Sequence, residues 1–168
     1  FALWDNETRT LTLARDHLGV KPLYWFEQDS TVLFGSELRA LLQHPACPRR
    51  IDTLALGHYF RTGNVPAPHC IFTGVNKLSP GHYLTCRVGA DPVVTRYWNL
   101  NAIAQQPIDT ATSFAAATEQ LQSLLLQVVQ SQMVADVPLG ALLSGGIDST
   151  LVTALMQAQR QQPVKSFS

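Results

Sequence analysis

The sequence predicts an α+β layout, mainly antiparallel strands, through about residue 98, followed from residue 113 by the start of an α/β unit with a parallel sheet. Three observations carry this. Short apolar/polar alternations between turn residues fill the first half, as in half-buried strands. From Phe114 the apolar period lengthens to that of a helix. An apolar strand, a Gly-Gly loop, a helix and a second strand then follow within about 30 residues, the pattern of a βαβ unit.

Phe1 to Trp4 reads as a strand, turned by Asp5-Asn6-Glu7-Thr8 into a second strand in which Leu11 and Leu13 alternate with threonines up to Arg15. Leu23 to Phe26 and Thr31 to Phe34 form a hairpin around Glu27-Gln28-Asp29-Ser30. Ser36 and Asp52 are placed to N-cap short helices running to Gln43 and Phe60. Ile71 to Val75, His82 to Arg87 and Val93 to Trp98 read as further strands, set off by Ser79-Pro80-Gly81 and Gly89-Ala90-Asp91-Pro92. Residues 99–112 are polar and suit a linker between domains 1–98 and 113–168. Phe114, Leu121, Leu124, Leu125, Val128, Val129 and Met133 then form a helical stripe, expected to be packed core, with Val137-Pro138 stopping the helix. Leu139 to Leu143 is a buried strand, Ser144 to Ser149 a loop, Ser149 to about Gln161 a helix, and Val164 to Phe167 a strand. Both ends fall inside strand-like segments, so the chain is expected to be a piece of a longer protein.

Composition narrows the function. Hydrophobic residues make up 46% and charged ones 14%, enough to build a core. Formal net charge is zero, which argues against nucleic acid or an acidic membrane as partner and for small-molecule substrates gripped locally. No apolar run approaches the ~18 residues of a membrane span. Cys47, Cys70 and Cys86 make no CxxC pair and read as reduced thiols of a cytoplasmic protein. His17, His44, His58, His69 and His82 lack metal-ligand spacing.

Ser144-Gly145-Gly146-Ile147-Asp148-Ser149 carries the chemistry. At the carboxyl end of a strand in an open α/β sheet, such a loop lies where ligands bind. Paired glycines let backbone approach an anion, and the amides opening the next helix point at it. The Ser144 and Ser149 hydroxyls can donate to phosphate oxygens. Asp148 would repel bare phosphate, so its best use is to hold Mg²⁺ bridging phosphate oxygens. No lysine follows the glycines, so this is not a GxxxxGK[ST] loop, nor is it a GxGxxG one.

The loop resembles the SGGxDS pyrophosphate loop of ATP-pyrophosphatases, which cleave ATP between its α- and β-phosphates. Arg15 to Tyr24 (RDHLGVKPLY), Gly35 to Leu41 (GSELRAL), Lys77 to Tyr83 (KLSPGHY) and Ala135 to Pro138 (ADVP) resemble, in the same order, motifs of the glutamine-hydrolysing asparagine synthetase family. That resemblance implies the C-terminal part of an Ntn-hydrolase glutaminase domain, then the first part of an ATP-pyrophosphatase synthetase domain. It implies glutamine, aspartate and ATP as substrates, Mg²⁺ as cofactor, and a full-length form compatible with a homodimer. In the family, ammonia released from glutamine crosses a tunnel to an aspartate carboxylate activated as acyl-adenylate, leaving amide, AMP and pyrophosphate. Residues carried over for ATP and pyrophosphate are Leu142, whose backbone lies in the strand facing adenine, and Ser144, Gly145, Gly146, Ile147, Asp148 and Ser149.

The family's glutaminase nucleophile is an N-terminal cysteine whose own amine can act as base. The three cysteines here are internal, so the resemblance puts the nucleophile and the glutamine-binding motifs before Phe1, and the aspartate-binding motifs after Ser168. No catalytic residue is expected within the chain, which alone should be inactive. The Arg15 to Pro22 loop has two readings: a turn pinned by Arg15 and Asp16, or, by resemblance, an interface between the two domains near the tunnel. A β-lactam synthetase-like ligase and a non-catalytic nucleotide-binding paralogue are the competing functions.

Overall fold

A computed structural model describes residues 1–29, 31–108 and 111–168. Ser30 of the expected hairpin turn, and Asp109 and Thr110 of the expected linker, lie outside the described residues. The chain divides into two compact units, Phe1–Gln106 and Pro107–Ser168.

In the first unit, β1 (Ala2–Asp5) and β2 (Thr10–Ala14) form an antiparallel pair. β3 (Tyr24–Gln28) and β4 (Thr31–Gly35) form the next hairpin, followed by the short helices α1 (Leu38–Leu41) and α2 (Thr53–Thr62). β5 (Asn76–Lys77), β6 (His82–Arg87), β7 (Val93–Arg96) and α3 (Leu100–Ala104) complete it. The strands make two antiparallel sheets, ordered β1-β2-β6-β7 and β4-β3-β5.

Alternation along the strands decides what lies between the sheets. Leu13 opposes Leu84 and Leu11 opposes Cys86, so all four share one face of the first sheet. Leu13 and Leu84 are fully buried, and the same cluster takes in Leu78 together with Trp25 and Val32 from the second sheet. Burying each such leucine contributes about 1.5–3 kcal/mol. Tyr24 and Phe26, one position either side of Trp25, join a different cluster with Leu41, Cys47, Cys70 and Val75. The second sheet is thus apolar on both faces.

Several elements differ from expectation. Ser36 does not cap α1: Glu37 holds the N-cap position and makes no side-chain cap bond. Asp52 does cap α2, accepting from the Ala55 amide at 2.9 Å, and the helix runs two residues past Phe60 to a left-handed Gly63. Ile71 to Val75 is not a strand. Gly74 bends the chain at φ 82°, and only an isolated Ile51–Phe72 bridge forms. Its apolar residues are buried from a loop instead. Asn99 caps the five-residue α3 within the stretch expected to be polar linker.

In the second unit, Ser113 caps α4 (Phe114–Gln132) by accepting from the Ala116 amide. β8 (Gly140–Leu142), α5 (Ile147–Ala158) and β9 (Lys165–Phe167) follow, with β8 and β9 parallel in a βαβ unit. α4 ends at Gln132, before Val137-Pro138. Its stripe is only partly core. Val129 is buried with Ala141, Leu155 and Met156, and Leu125 and Met133 pack against them, whereas Phe114, Leu121, Leu124 and Val128 are exposed. α5 and β8 cover one sector of α4 and leave the rest of its apolar surface open. A Cβ on Gly140 would sit 2.6 Å from the Phe167 ring, so glycine lets β8 and β9 close up at the entrance to the loop.

Candidate functional site

Leu142 ends β8, and the Leu143 amide donates to the Phe167 carbonyl at 2.8 Å, so the chain leaves the sheet edge at Ser144. The Leu142 side chain is exposed rather than core, as strand pairing holds only its backbone in place. Gly145 turns the chain with φ 81°, a conformation that disfavours any side chain. Gly146 is the N-cap of α5. The helix begins at Ile147, two residues earlier than the sequence suggested, so Ile147, Asp148 and Ser149 form its first turn. The structure therefore brings Leu142 and Ser144 to Ser149 together around one strand-to-helix corner.

Gly146 is informative because the fold does not demand it. Its φ of −74° and ψ of 162° suit any residue. A Cβ there would meet only the Ser144 and Ser149 hydroxyls, at 3.5 and 3.9 Å, which is ordinary contact. At an N-cap, Ser, Thr, Asp or Asn would stabilise the helix more. Glycine instead leaves open the space between two hydroxyls, above helix amides that no side chain caps. That space suits the approach of an anion to backbone N–H groups at the positive end of a helix dipole.

The hydroxyls are ordered. Ser149 Oγ donates to the Gly146 carbonyl at 3.2 Å and lies 3.1 Å from Ser144 Oγ. Asp148 is exposed in the first turn, and among the described residues its carboxylate has no hydrogen bond or ion pair. No group of three or more His, Cys, Asp or Glu able to hold a metal occurs among the described residues. The donor set fits Mg²⁺ held by one carboxylate and completed by phosphate oxygens and water, and does not fit an all-protein metal cage. His58 and His69 stack with ring centroids 5.5 Å apart, and among the described residues no third ligand joins them.

In the first unit the Arg15 to Pro22 loop is pinned from within. The three guanidinium nitrogens of Arg15 donate to the carbonyls of Lys21, Leu78 and Gly19 at 3.0, 2.6 and 2.9 Å. Asp16 accepts from the Val20 and Lys21 amides at 2.8 and 3.2 Å. The Val20 amide, with help from Lys21, holds the Asp16 carboxyl below the usual carboxylate range against a smaller desolvation. Sequence reasoning missed the other two clamps. Tyr97 donates its hydroxyl proton to the Arg15 carbonyl at 2.6 Å, and the Gly81 amide donates to the Asp16 carbonyl at 3.0 Å. Gly81 was legible only as a turn residue, while nothing in the sequence pointed from Tyr97 to Arg15, 82 positions away. Beside the loop lies an open cavity of about 420 Å³ walled by Arg15, Asp16, His17, Lys21 and Tyr97.

Two family models match this chain. A glutamine amidotransferase domain covers residues 1–98, and an asparagine synthase domain covers residues 120–168. The chain belongs to the glutamine amidotransferase class, within the family of glutamine-hydrolysing asparagine synthetases. It is 36% identical to a Bacillus subtilis protein named asparagine synthetase [glutamine-hydrolyzing] 3, over the whole chain and 27% of that relative. It is 39% identical to a putative asparagine synthetase [glutamine-hydrolyzing] of Mycobacterium bovis, over 92% of the chain and 24% of the relative. A Gibberella zeae protein named amidase chry2 is 31% identical over 98% of the chain and 24% of its own length. The chain thus spans about a quarter of the length of these relatives.

Proposed function

We propose that the full-length protein is a glutamine-dependent asparagine synthetase, amidating aspartate with ammonia from glutamine at the expense of ATP. Residues 1–98 are then the C-terminal part of a glutaminase domain of the Ntn-hydrolase kind, 99–112 a linker, and 113–168 the start of an ATP-pyrophosphatase domain. The observation that carries this is the glycine at position 146, which neither backbone conformation nor packing requires. In this reading the Ser144 and Ser149 hydroxyls and the amides opening α5 hold phosphate oxygens. The Leu142 backbone lies along the adenine, and Asp148 holds Mg²⁺. ATP, when bound, supplies the leaving group that turns a carboxylate into an acyl donor.

The cysteines of this chain take no part. Cys47, Cys70 and Cys86 are free and buried, and burial pushes each thiol up, away from the thiolate a nucleophile needs. The segment by itself is proposed to be inactive, and the protein to be cytoplasmic. Among the described residues no helix is long and apolar enough to cross a membrane.

The test is Asp148→Asn in the full-length protein, which keeps shape and removes charge. Pyrophosphate release should fall by at least ~10²-fold, the cost of one preorganised electrostatic contact, while glutamate release falls far less. Equal loss of both points to a disturbed fold. Loss of neither removes Asp148 from the metal site.

A further inference from the structure

The cavity beside the Arg15 to Pro22 loop is lined by donors that the fold does not use. Its volume of about 420 Å³ lies in the range of small-molecule sites. The acceptors in its wall are engaged. Both Asp16 oxygens accept backbone amides, and the Arg15 carbonyl accepts the Tyr97 hydroxyl. The Arg15 guanidinium is engaged too, on three carbonyls. Three other side chains of the wall are not. Among the described residues, the Lys21 ammonium, the Ser36 hydroxyl and the His17 ring nitrogens have no hydrogen bond or ion pair. Lys21 is nonetheless firmly mounted. Its amide donates to Asp16 and its carbonyl accepts from Arg15 Nε, so its backbone is clamped while its charge stays free. The Lys77 ammonium, by contrast, donates to the Val65 carbonyl. Ser36 is free because Glu37 takes the N-cap position the sequence suggested for it. The His17 ring is held between Tyr97 and Trp98, with centroids 5.4 and 5.0 Å away.

Free donors beside engaged acceptors suit an anion. Arg15 and Lys21 against Asp16 leave the wall one positive charge, which matches a monoanion better than a phosphate dianion. Pro22 and Leu23 supply apolar lining, so the anion that fits has a hydrocarbon body. We propose that this cavity binds a small organic carboxylate, its oxygens held by Lys21, Ser36 and His17 and its body against Pro22 and Leu23. The proposal does not rest on the phosphate reading of the glycine loop.

The experiment uses the full-length protein, with butyrate as the probe, and has two arms. In the first, saturation-transfer NMR should give a Kd of about 1–10 mM, as expected for a small ligand in an open site. Lys21→Ala should weaken binding about fivefold and Ser36→Ala about threefold. Neither should move the thermal midpoint, because neither side chain has a partner to lose. Inorganic phosphate at the same concentration should not displace the probe. The second arm needs no substitution: lysines are acetylated and read by mass spectrometry. Butyrate at ten times its Kd should slow Lys21 about tenfold and leave the exposed Lys165 unchanged. The proposal is overturned by the absence of a saturable butyrate signal, or by binding that both variants leave intact. Displacement by phosphate overturns the assignment to a carboxylate. A Lys21 that resists acetylation without butyrate means that the rest of the protein fills the cavity, which also overturns it.

Discussion

The guanidinium of Arg15 donates to the carbonyl of Leu78, 63 positions later in the chain, at 2.6 Å. That bond joins the loop after β2 to the turn before β6, and the same group holds the Gly19 and Lys21 carbonyls. One planar fork thus closes its own loop and ties it to Leu78, a fully buried core residue. Arg15→Ala should lower unfolding free energy by about 2–4 kcal/mol, because three carbonyls, those of Leu78 and Gly19 in part-buried bonds, lose a charged donor. Arg15→Lys should recover less than half, since a point ammonium cannot reach three acceptors. Urea unfolding of the three proteins measures both.

Asp16 gives the loop a pH dependence of known sign. Its folded-state carboxyl lies below its unfolded value of about 3.9, so the stabilisation is present above that value and lost as pH falls through the lowered one. The thermal midpoint of Asp16→Asn should therefore sit below wild type by a constant margin between pH 7 and 5. The margin should close below about pH 4. A margin that persists at pH 2 would mean the side chain acts through shape rather than charge.

Much of this arrangement was legible beforehand. β6 spans His82–Arg87 as its alternation suggested, the Asp52 cap is in place, and Arg15 and Asp16 pin their loop. Ile71 to Val75 misled because apolar, β-branched residues are also what a buried loop needs, and only Gly74 marked the bend. The α4 stripe misled because periodicity reports which side is apolar but not how much of it a neighbour covers. At the glycine loop the residues were readable but their duties were not. The contact between the Ser144 and Ser149 hydroxyls, five positions apart, exists only in three dimensions.

Two glycine substitutions separate conformational need from free space. Gly81 has φ 67°, and a Cβ there would lie 2.6 Å from the Trp98 carbonyl oxygen. Gly81→Ala should cost at least about 2 kcal/mol. Gly57, inside α2 with nothing within 4 Å of an added Cβ, should gain about 0.5–1 kcal/mol on mutation to alanine. Thermal denaturation of the pair checks both signs.

The three buried thiols should resist modification. Burial raises Cys47, Cys70 and Cys86 and shuts out reagent. Labelling with a chromogenic disulfide at neutral pH should leave all three untouched in the native protein and reach them only in denaturant. Fast native labelling of Cys70 would contradict the packing of its cluster.

The central claim is that the space above Gly146 belongs to a phosphate and not to the fold. Gly146→Ala in the full-length protein tests it, with unfolding free energy and ATP affinity measured on the same preparation. The account predicts a stability change of no more than about 1 kcal/mol, the difference between glycine and alanine at an N-cap, together with a loss of ATP affinity of at least about a hundredfold. A variant that binds ATP as the wild type does, at undiminished stability, would contradict it.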